Sequence, residues 1–457
     1  MATTGIQVEL DLRELVQGAV KRAMQLGANA AESVVSEGSE FGTSVRLGEV
    51  ETLKESGSRG MGVRVFVGKH TANTTTSDLS PEGVEQLVRG AIELAKITSE
   101  DPMAGIPEAD QLGQIDGDLG LYHDDVYSLS NEERIEQARR AEKAAMAVDA
   151  RLTNSDGGTF DASIGRKVLA NSHGFVGEYR SSYCSISAVP IASDEQGNMQ
   201  RDYWYSVART LKRLESPEEV GRIAAERTLR RLGARKIKTQ KVPLVFDRQT
   251  SVALLDHIFD SVNGDAIYRH ASFLAGKLGE KIFGANVTVM DDGTIPGGFG
   301  TRPFDSEGVP TRRTTVIENG ELKSYMLNTY TAKKLNLQTT GNASRGLAGT
   351  PGIGNGNFYL QPGEKSQEEI IKGVKQGLLV TEFLGFGVNL VTGDFSRGAS
   401  GIWIENGELT YPVEEITVAG NLREMFSNLS EIGSDLIWRG SIACPTLRIE
   451  GMTIAGE

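Results

Sequence analysis

Four residues with chemical potential, Asp256, His257, Asp260 and Ser261, fall together in the stretch Thr250 to Tyr268, TSVALLDHIFDSVNGDAIY. Val252, Leu255, Phe259 and Val262 recur there at three- and four-residue steps, the period of a helix with one buried face, which leaves the polar four on another face. A hydrolytic zinc helix needs two histidines four or five residues apart, so that both imidazoles reach one ion, with a glutamate beside the first as base. Only one histidine is present. The chain holds five histidines in all, His70, His123, His173, His257 and His270, and no two have zinc-helix spacing. His257 and His270 could join Asp256, Asp260 and Asp265 around an oxygen-bound cation only if the chain folds back on itself. The plainer reading makes His257 a helix-surface or groove residue.

Other catalytic patterns are weaker. TPGIGNGN lacks the Lys-Ser or Lys-Thr end of a phosphate-binding loop. GFGTRPFDSEG has no strand-loop-helix context and reads as a substrate-facing loop. No Gly-x-Ser-x-Gly elbow is present, and Ser400 in GASG is followed by a strand pattern.

The elements that must position these residues are legible from periodicity. Asp11 to Leu26 carries a helical stripe that ends at Gly27. From Ala31 to Asp78, β-branched residues alternate with polar ones between glycines, a meander of antiparallel strands. Ser80-Pro81, Ser130 and Ser216-Pro217 each open a helix as cap and first-turn residues. Strands are expected at Arg151 to Phe160, Lys167 to Tyr179 and Tyr183 to Ile191, with a turn at Glu195 to Asn198. The basic run at Ala234 to Lys241 reads as a solvated linker, so the expected domains are 1–235 and 236–457.

Beyond it, VPLVFD is a short buried strand that feeds the helix at Thr250. A second helix is expected from Ser366 to Leu378, and strands continue to the end. TVIENGELKSYM and IWIENGELTYPV each place Asn-Gly between extended runs, a hairpin signal. The whole reads as an α+β protein, with amino-terminal helices on an antiparallel sheet and a β-rich second half holding few helices.

The 457 residues suffice for two cores, and 54 glycines favour tight turns. A net charge of −13 argues against a direct nucleic-acid grip, which needs a basic surface. Cys184 and Cys444 lie too far apart in sequence to suggest a disulfide framework, and Cys444 reads as a small buried hydrophobe. The opening MATTGIQVELDLRELV has no secretory pattern and no apolar run reaches membrane-spanning length, so a cytoplasmic location is expected.

Several segments of the second half carry a family resemblance: VTVMDDGTIPGG, DSEGVPTRRTTVIENGELKSYMLN, TTGNASR, LQPGEKSQEEII, VNLVTGDFSRGASGIWIENGELTYPVEEITVAGN, GSDL and CPTLRIEGMTIAG. Together they resemble the TldD/PmbA family, described as microcin-maturation proteases and as modulators of DNA gyrase. GMGVRVFVG near residue 60 is similar as well. The resemblance implies a two-domain cytosolic fold, a pair of related subunits, and cleavage of short or unfolded peptides. In the zinc-bearing subunit a His-Glu-x-x-x-His helix and a later cysteine hold the metal. Here the corresponding helix reads Asp256-His257 and then Ser261, and Cys444 stands beside Pro445 with no Cys-Gly-Lys segment.

The sequence is therefore similar to the PmbA, or TldE, branch. That resemblance implies no metal and no peptidase activity in this chain alone, zinc in a TldD-like partner, and a self-pair in the partner's absence. Asp256, His257, Asp260 and Ser261 are candidates for a peptide channel because they stand where the ligands would be. Thr392 and Asp394 join them from the polar break VTGDFS, where each reads equally as a turn residue. Two alternatives remain: a non-enzymatic protein that binds gyrase or another partner, and an autonomous metallopeptidase with atypical ligands.

Overall fold

A computed structural model describes residues 11–456, so the first ten residues of the stretch read for a secretory signal lie outside the described residues. The first half runs α1 (Leu12–Gln25), β1 (Ala30–Arg46), β2 (Glu49–Val67), β3 (His70–Thr76), α2 (Pro81–Ala95), α3 (Asn131–Met146), β4 (Leu152–Asn171), β5 (Val176–Ser193), β6 (Met199–Arg201), β7 (Trp204–Ala208) and α4 (Pro217–Leu229). The helices start where their caps dictate. Ser80, Ser130 and Ser216 accept hydrogen bonds from the Gly83, Glu133 and Glu219 amides, and prolines fill the first position of α2 and α4.

The strands form one antiparallel sheet in the order β3-β2-β1-β4-β5-β6, with β7 also on β5. Along β1, Ala31 and Val35 pack under α1 and α2, while Phe41 and Val45 pack under α3 and α4. All four are odd-numbered, and period-two alternation therefore puts both helix pairs on one face. On the other face Val34 and Leu169 receive Phe304 from the second half. The three strands expected between Arg151 and Ile191 are two long ones. Their turn falls at Ser172 to Gly174, inside the expected second strand, where Gly174 takes φ 90° and its amide donates to Asn171 O.

The second half runs β8 (Gln240–Phe246), α5 (Thr250–Val262), α6 (Gly264–Tyr268), β9 (Val289–Asp292), β10 (Arg313–Glu318), β11 (Glu321–Leu322), α7 (Thr329–Leu335), β12 (Ala343–Ser344), β13 (Gly352–Ile353), β14 (Asn357–Leu360), α8 (Gln367–Lys372), β15 (Gln376–Leu384), β16 (Val388–Asn389), β17 (Asp394–Glu405), β18 (Glu408–Asn421), α9 (Leu422–Ser427), β19 (Leu429–Ile432), β20 (Ile442–Ala443) and β21 (Leu447–Ala455). Strands β15, β8, β21, β18 and β17 pair in that order, and β17 returns to β15, closing a barrel. A second sheet has the order β11-β10-β9-β14-β20.

Strands β8 and β15 are buried on both faces. Leu244, Phe246, Leu378 and Val380 enter the main core with α5, while Val245 and Leu379 pack under α8. Both Asn-Gly pairs form hairpin turns in which the two central residues have positive φ: 50° and 83° at Asn319-Gly320, 51° and 82° at Asn406-Gly407.

Three expectations change. The helix expected to Leu378 stops at Lys372, and Gln376 already begins β15, because its apolar run belongs to the barrel. Helices α7 and α9, seven and six residues long, are too short to show a period and are set by Asn328 and Asn421 caps. The basic run after α4 is stitched down as well as solvated: Arg235 exchanges main-chain bonds with Pro412 and Glu414, and its guanidinium lies 3.4 Å from the Tyr411 ring centre. Among the described residues no helix is long and apolar enough to cross a membrane.

Among the polar contacts that join the halves are two clusters. The Arg209 guanidinium donates to five main-chain carbonyls: Leu121 and Ser182 of the first half, Gly297, Gly298 and Phe299 of the second. The other cluster is ionic. Glu32 on β1 meets Arg64 of β2 at 2.8 Å and Arg345 of the second half at 2.7 Å, and Arg64 also faces Glu307 at 3.6 Å.

Candidate functional site

Helix α5 is fixed at its start by Asp247, the first residue of the β8 strand-to-helix turn. Its carboxylate accepts from the Gln249 and Thr250 amides (3.0 and 2.9 Å), and Thr250 Oγ1 donates to Val380 O on β15 (3.0 Å). Leu254, Leu255, Ile258, Phe259 and Val262 then bury one face in the core, whereas the expected Val252 is only half-buried. The stretch to Tyr268 is two helices rather than one. Asn263 turns extended (ψ 124°) and caps α6, and Gly264 passes so close to the next segment that a Cβ would lie 2.6 Å from Leu327 Cδ2.

Of the residues expected at a channel, Asp256, His257 and Asp260 stand on the open side of α5, exposed or half-buried. Burial raises the Asp256 carboxyl, with His257 pulling the other way. The Asp260 carboxyl is pushed up to about 6, by burial first and by the Asp256 charge second. Burial lowers His257 from the ordinary histidine value, Asp256 opposes this, and Arg397 adds to it. The imidazole is therefore neutral at pH 7, and its buried Nε2 has no hydrogen-bond partner among the described residues. Its ring lies 6.3 Å from Phe395, edge-on.

A raised carboxyl fixes the sign of a pH effect. Between the ordinary aspartate range and about pH 6, the folded protein holds a proton on Asp260 that the unfolded chain releases, so this group's contribution to stability falls as pH rises through that window. Asp260→Asn is expected to raise stability at pH 7 by about 1 kcal/mol, less than the full shift because solvent reaches the group. Urea denaturation at pH 4 and pH 7 measures this, with the gain expected only at the higher pH.

Ser261 does not share that surface. It is fully buried, its hydroxyl donates to His257 O (2.7 Å), and its own carbonyl accepts from Ser272 Oγ (2.6 Å). Thr392 and Asp394 form a local turn network. Thr392 Oγ1 donates to Asp394 Oδ2 (2.6 Å), and Asn421 Nδ2 donates to Thr392 O and Asp394 Oδ1. Those bonds hold the Asp394 carboxyl below its usual range.

What reaches α5 from this strand is the alternate set, Phe395 and Arg397. Arg397 lies over the Phe383 ring (4.8 Å), and Phe383 in turn packs on Phe395 and Phe246. The period-two pattern of DFSR carries that signal, but attention to the polar residues selects the opposite side of the strand. The groove thus has acids and a neutral histidine on the helix side and Arg397 opposite, with a half-buried Phe383 that packs on the buried Phe395 and Phe246. Beyond it Phe386 is completely exposed.

This donor set does not fit a zinc ion. Ser261 is committed to the helix backbone. Cys444 is fully buried beneath the first turn of α5, where Ser251 Oγ donates to its carbonyl oxygen (3.2 Å), and burial raises its thiol far above the ordinary value. His270 is exposed beyond α6, and no three His, Cys, Asp or Glu side chains converge as metal ligands among the described residues. Two groups on this face, His257 and Asp260, have the shifts that suit proton exchange.

Known proteins share this architecture. Residues 31–95, 124–232 and 239–456 match PmbA/TldA metallopeptidase domain 1, the central domain and the C-terminal domain. The metalloprotease PmbA of Escherichia coli O157:H7 is 38% identical over 99% of this chain and 98% of its own. A Bacteroides thetaiotaomicron crystal structure, described as a candidate modulator of DNA gyrase, superposes with a TM-score of 0.91 at 29% identity, covering 97% of this chain and 99% of that one. TldE from Thermococcus kodakarensis has the same fold, with a TM-score of 0.88 at 23% identity over 97% of this chain and 100% of its own. The chain belongs to the PmbA/TldD family of metallopeptidases.

Proposed function

We propose that this chain is the metal-free subunit of a cytoplasmic two-subunit peptidase, paired with a zinc-bearing TldD-like relative that supplies the metal. Its own task is to hold an unfolded or short peptide against the groove beside α5. The carrying observation is the state of that helix. It is anchored at Asp247 and packed into the core, yet its open side offers Asp256, His257 and Asp260 while Ser261 and Cys444 serve only the fold. Zinc in the partner would activate water. The residues of this chain would orient the peptide main chain and exclude solvent over Phe383 and Phe395. A neutral His257 can accept or donate a hydrogen bond to a peptide group without adding charge to the site.

The pairing is tested by mass in solution. Mixed with the zinc-bearing relative from the same genome, this chain is expected to elute as a one-to-one complex that persists at nanomolar dilution, as extensive obligate interfaces do. Elution of both chains at their separate masses would refute the pairing.

A further inference from the structure

The first half ends in a strand with one unused edge. Strand β7 pairs with β5 alone, and among the described residues no other main-chain group bonds to the backbone of Tyr205, Ser206 or Val207. The chain that returns beside it uses its Glu215 amide on the Ser206 hydroxyl (3.0 Å), which leaves the strand's own amides and carbonyls free on that side. An unpaired edge is normally blunted by charge, a bulge or a covering segment. Here it is recessed instead. Ser206, Val207 and Ala208 form one wall of a cleft of about 300 Å³, and two loops of the second half, around Phe299 and around Trp438, form the other.

The cleft is built rather than incidental. Arg209 clamps the Phe299 loop through the carbonyls of Gly297, Gly298 and Phe299. Trp438 is held edge-on to Tyr359 at 5.6 Å. Arg439 stacks on Trp204 at 3.7 Å and pairs with Glu215 at 3.2 Å, while Glu215 also accepts from Trp204 Nε1 at 2.7 Å. Arg209 is thus occupied by the fold, and Arg439 is held through Nη2 and its ring contact, with its buried Nη1 left without a hydrogen-bond partner among the described residues. Arg213 is different: it lines the same cleft beside Gly297, and its side chain has no hydrogen-bond or ion-pair partner among the described residues. Three arginines against one glutamate make this cleft basic on a chain whose net charge is −13.

We infer that the cleft binds an acidic peptide segment in extended form, added to the free edge of β7, with an aspartate or glutamate side chain on Arg213. Main-chain bonds to the strand edge give affinity with little sequence demand, apolar side chains meet Phe299 and Trp438, and Arg213 supplies the charge preference. The inference takes its ligand class from the reading of the chain as a peptide-handling subunit. The site itself rests on the open edge, the clamped walls and the unpaired guanidinium.

The test uses the isolated chain, so that loss of peptide binding and loss of subunit pairing are separately visible. A fluorescent, terminally blocked peptide that alternates glutamate with leucine is titrated by anisotropy, beside a lysine-for-glutamate version and a version with alternate main-chain amides N-methylated. The acidic peptide is expected to bind with a salt-dependent affinity. The affinity is expected to fall about tenfold or more for each altered peptide, and likewise for Arg213→Glu and for the milder Arg213→Gln, with circular dichroism unchanged. No binding of the acidic peptide, undiminished binding by both arginine variants, or equal binding of the N-methylated peptide would overturn the inference.

Discussion

Replacing Glu32 by alanine is expected to destabilise the protein by about 3–5 kcal/mol, the cost of stranding buried charge. Glu32 is wholly buried, and its Oε1 lies 2.8 Å from Arg64 Nε and 2.7 Å from Arg345 Nη2, both side chains nearly as inaccessible. The remaining acids of the cluster cannot take its place. Glu307 accepts from the Thr329 amide (2.9 Å) and sits 3.6 Å from Arg64, while Asp305 is tied to the Glu307, Val309 and Ala343 amides. Burial raises the carboxyls of both Asp305 and Glu307, with mutual repulsion adding to it at Asp305, so neither is a ready source of further negative charge.

Urea denaturation at pH 7 should show a lower midpoint with an unchanged slope. A double-mutant cycle of Glu32→Gln with Arg345→Met should show strong coupling between residues of opposite halves. A loss below about 1 kcal/mol, the range of an exposed pair, would contradict this account of the cluster.

The second large effect is expected at Arg209. Arg209→Met removes a charged donor from five carbonyls, two in the first half and three in the loop that walls the cleft. Leu121 O keeps the Ser182 amide and Gly298 O the Thr301 amide, while Gly297 O and Phe299 O lose the donor that holds the loop. Bonds from an ionised donor are worth more than neutral ones, and an abandoned buried acceptor incurs its desolvation cost, so a loss of about 3 kcal/mol or more is expected. Arg209→Lys should recover less than half of it, because an ammonium cannot span both halves with a planar fork. Hydrogen exchange locates the effect: the Gly297 amide, which donates to Leu119 O at 2.7 Å, should lose protection before the barrel strands do. Equal protection in the variant and the parent would refute the clamp.

The features legible in the sequence are those set by neighbours in the chain. Ser80, Ser130 and Ser216 announce α2, α3 and α4 because a cap and the amide it accepts from lie three residues apart. The two Asn-Gly pairs announce their hairpins because the turn needs positive φ at both positions. Residues whose partners are remote carry no such local mark. Glu32 and Arg64 meet Arg345 only through the fold, and Arg209 finds the Leu121 and Gly298 carbonyls 88 and 89 residues away, one on either side of it in the chain.

At the groove, Asp256, His257 and Asp260 are legible as one open helix face. Ser261 is not: the same period that places it near His257 turns it inward, where it bonds its own helix. Phe395 and Arg397 yield to Thr392 and Asp394 in a reading of the sequence that follows the polar residues, although the alternation in DFSR already separates the two sides of β17.

The central claim is that this chain supports peptide cleavage without holding the metal. Its most direct test is zinc content and cleavage of an unfolded peptide, measured on this chain alone, on the zinc-bearing relative alone, and on the reconstituted pair. The account predicts substoichiometric zinc and no cleavage by this chain alone, with cleavage by the pair that drops when His257 and Asp260 are replaced together by alanine. One zinc per chain together with cleavage by this chain alone, both lost on His257→Ala, would contradict it.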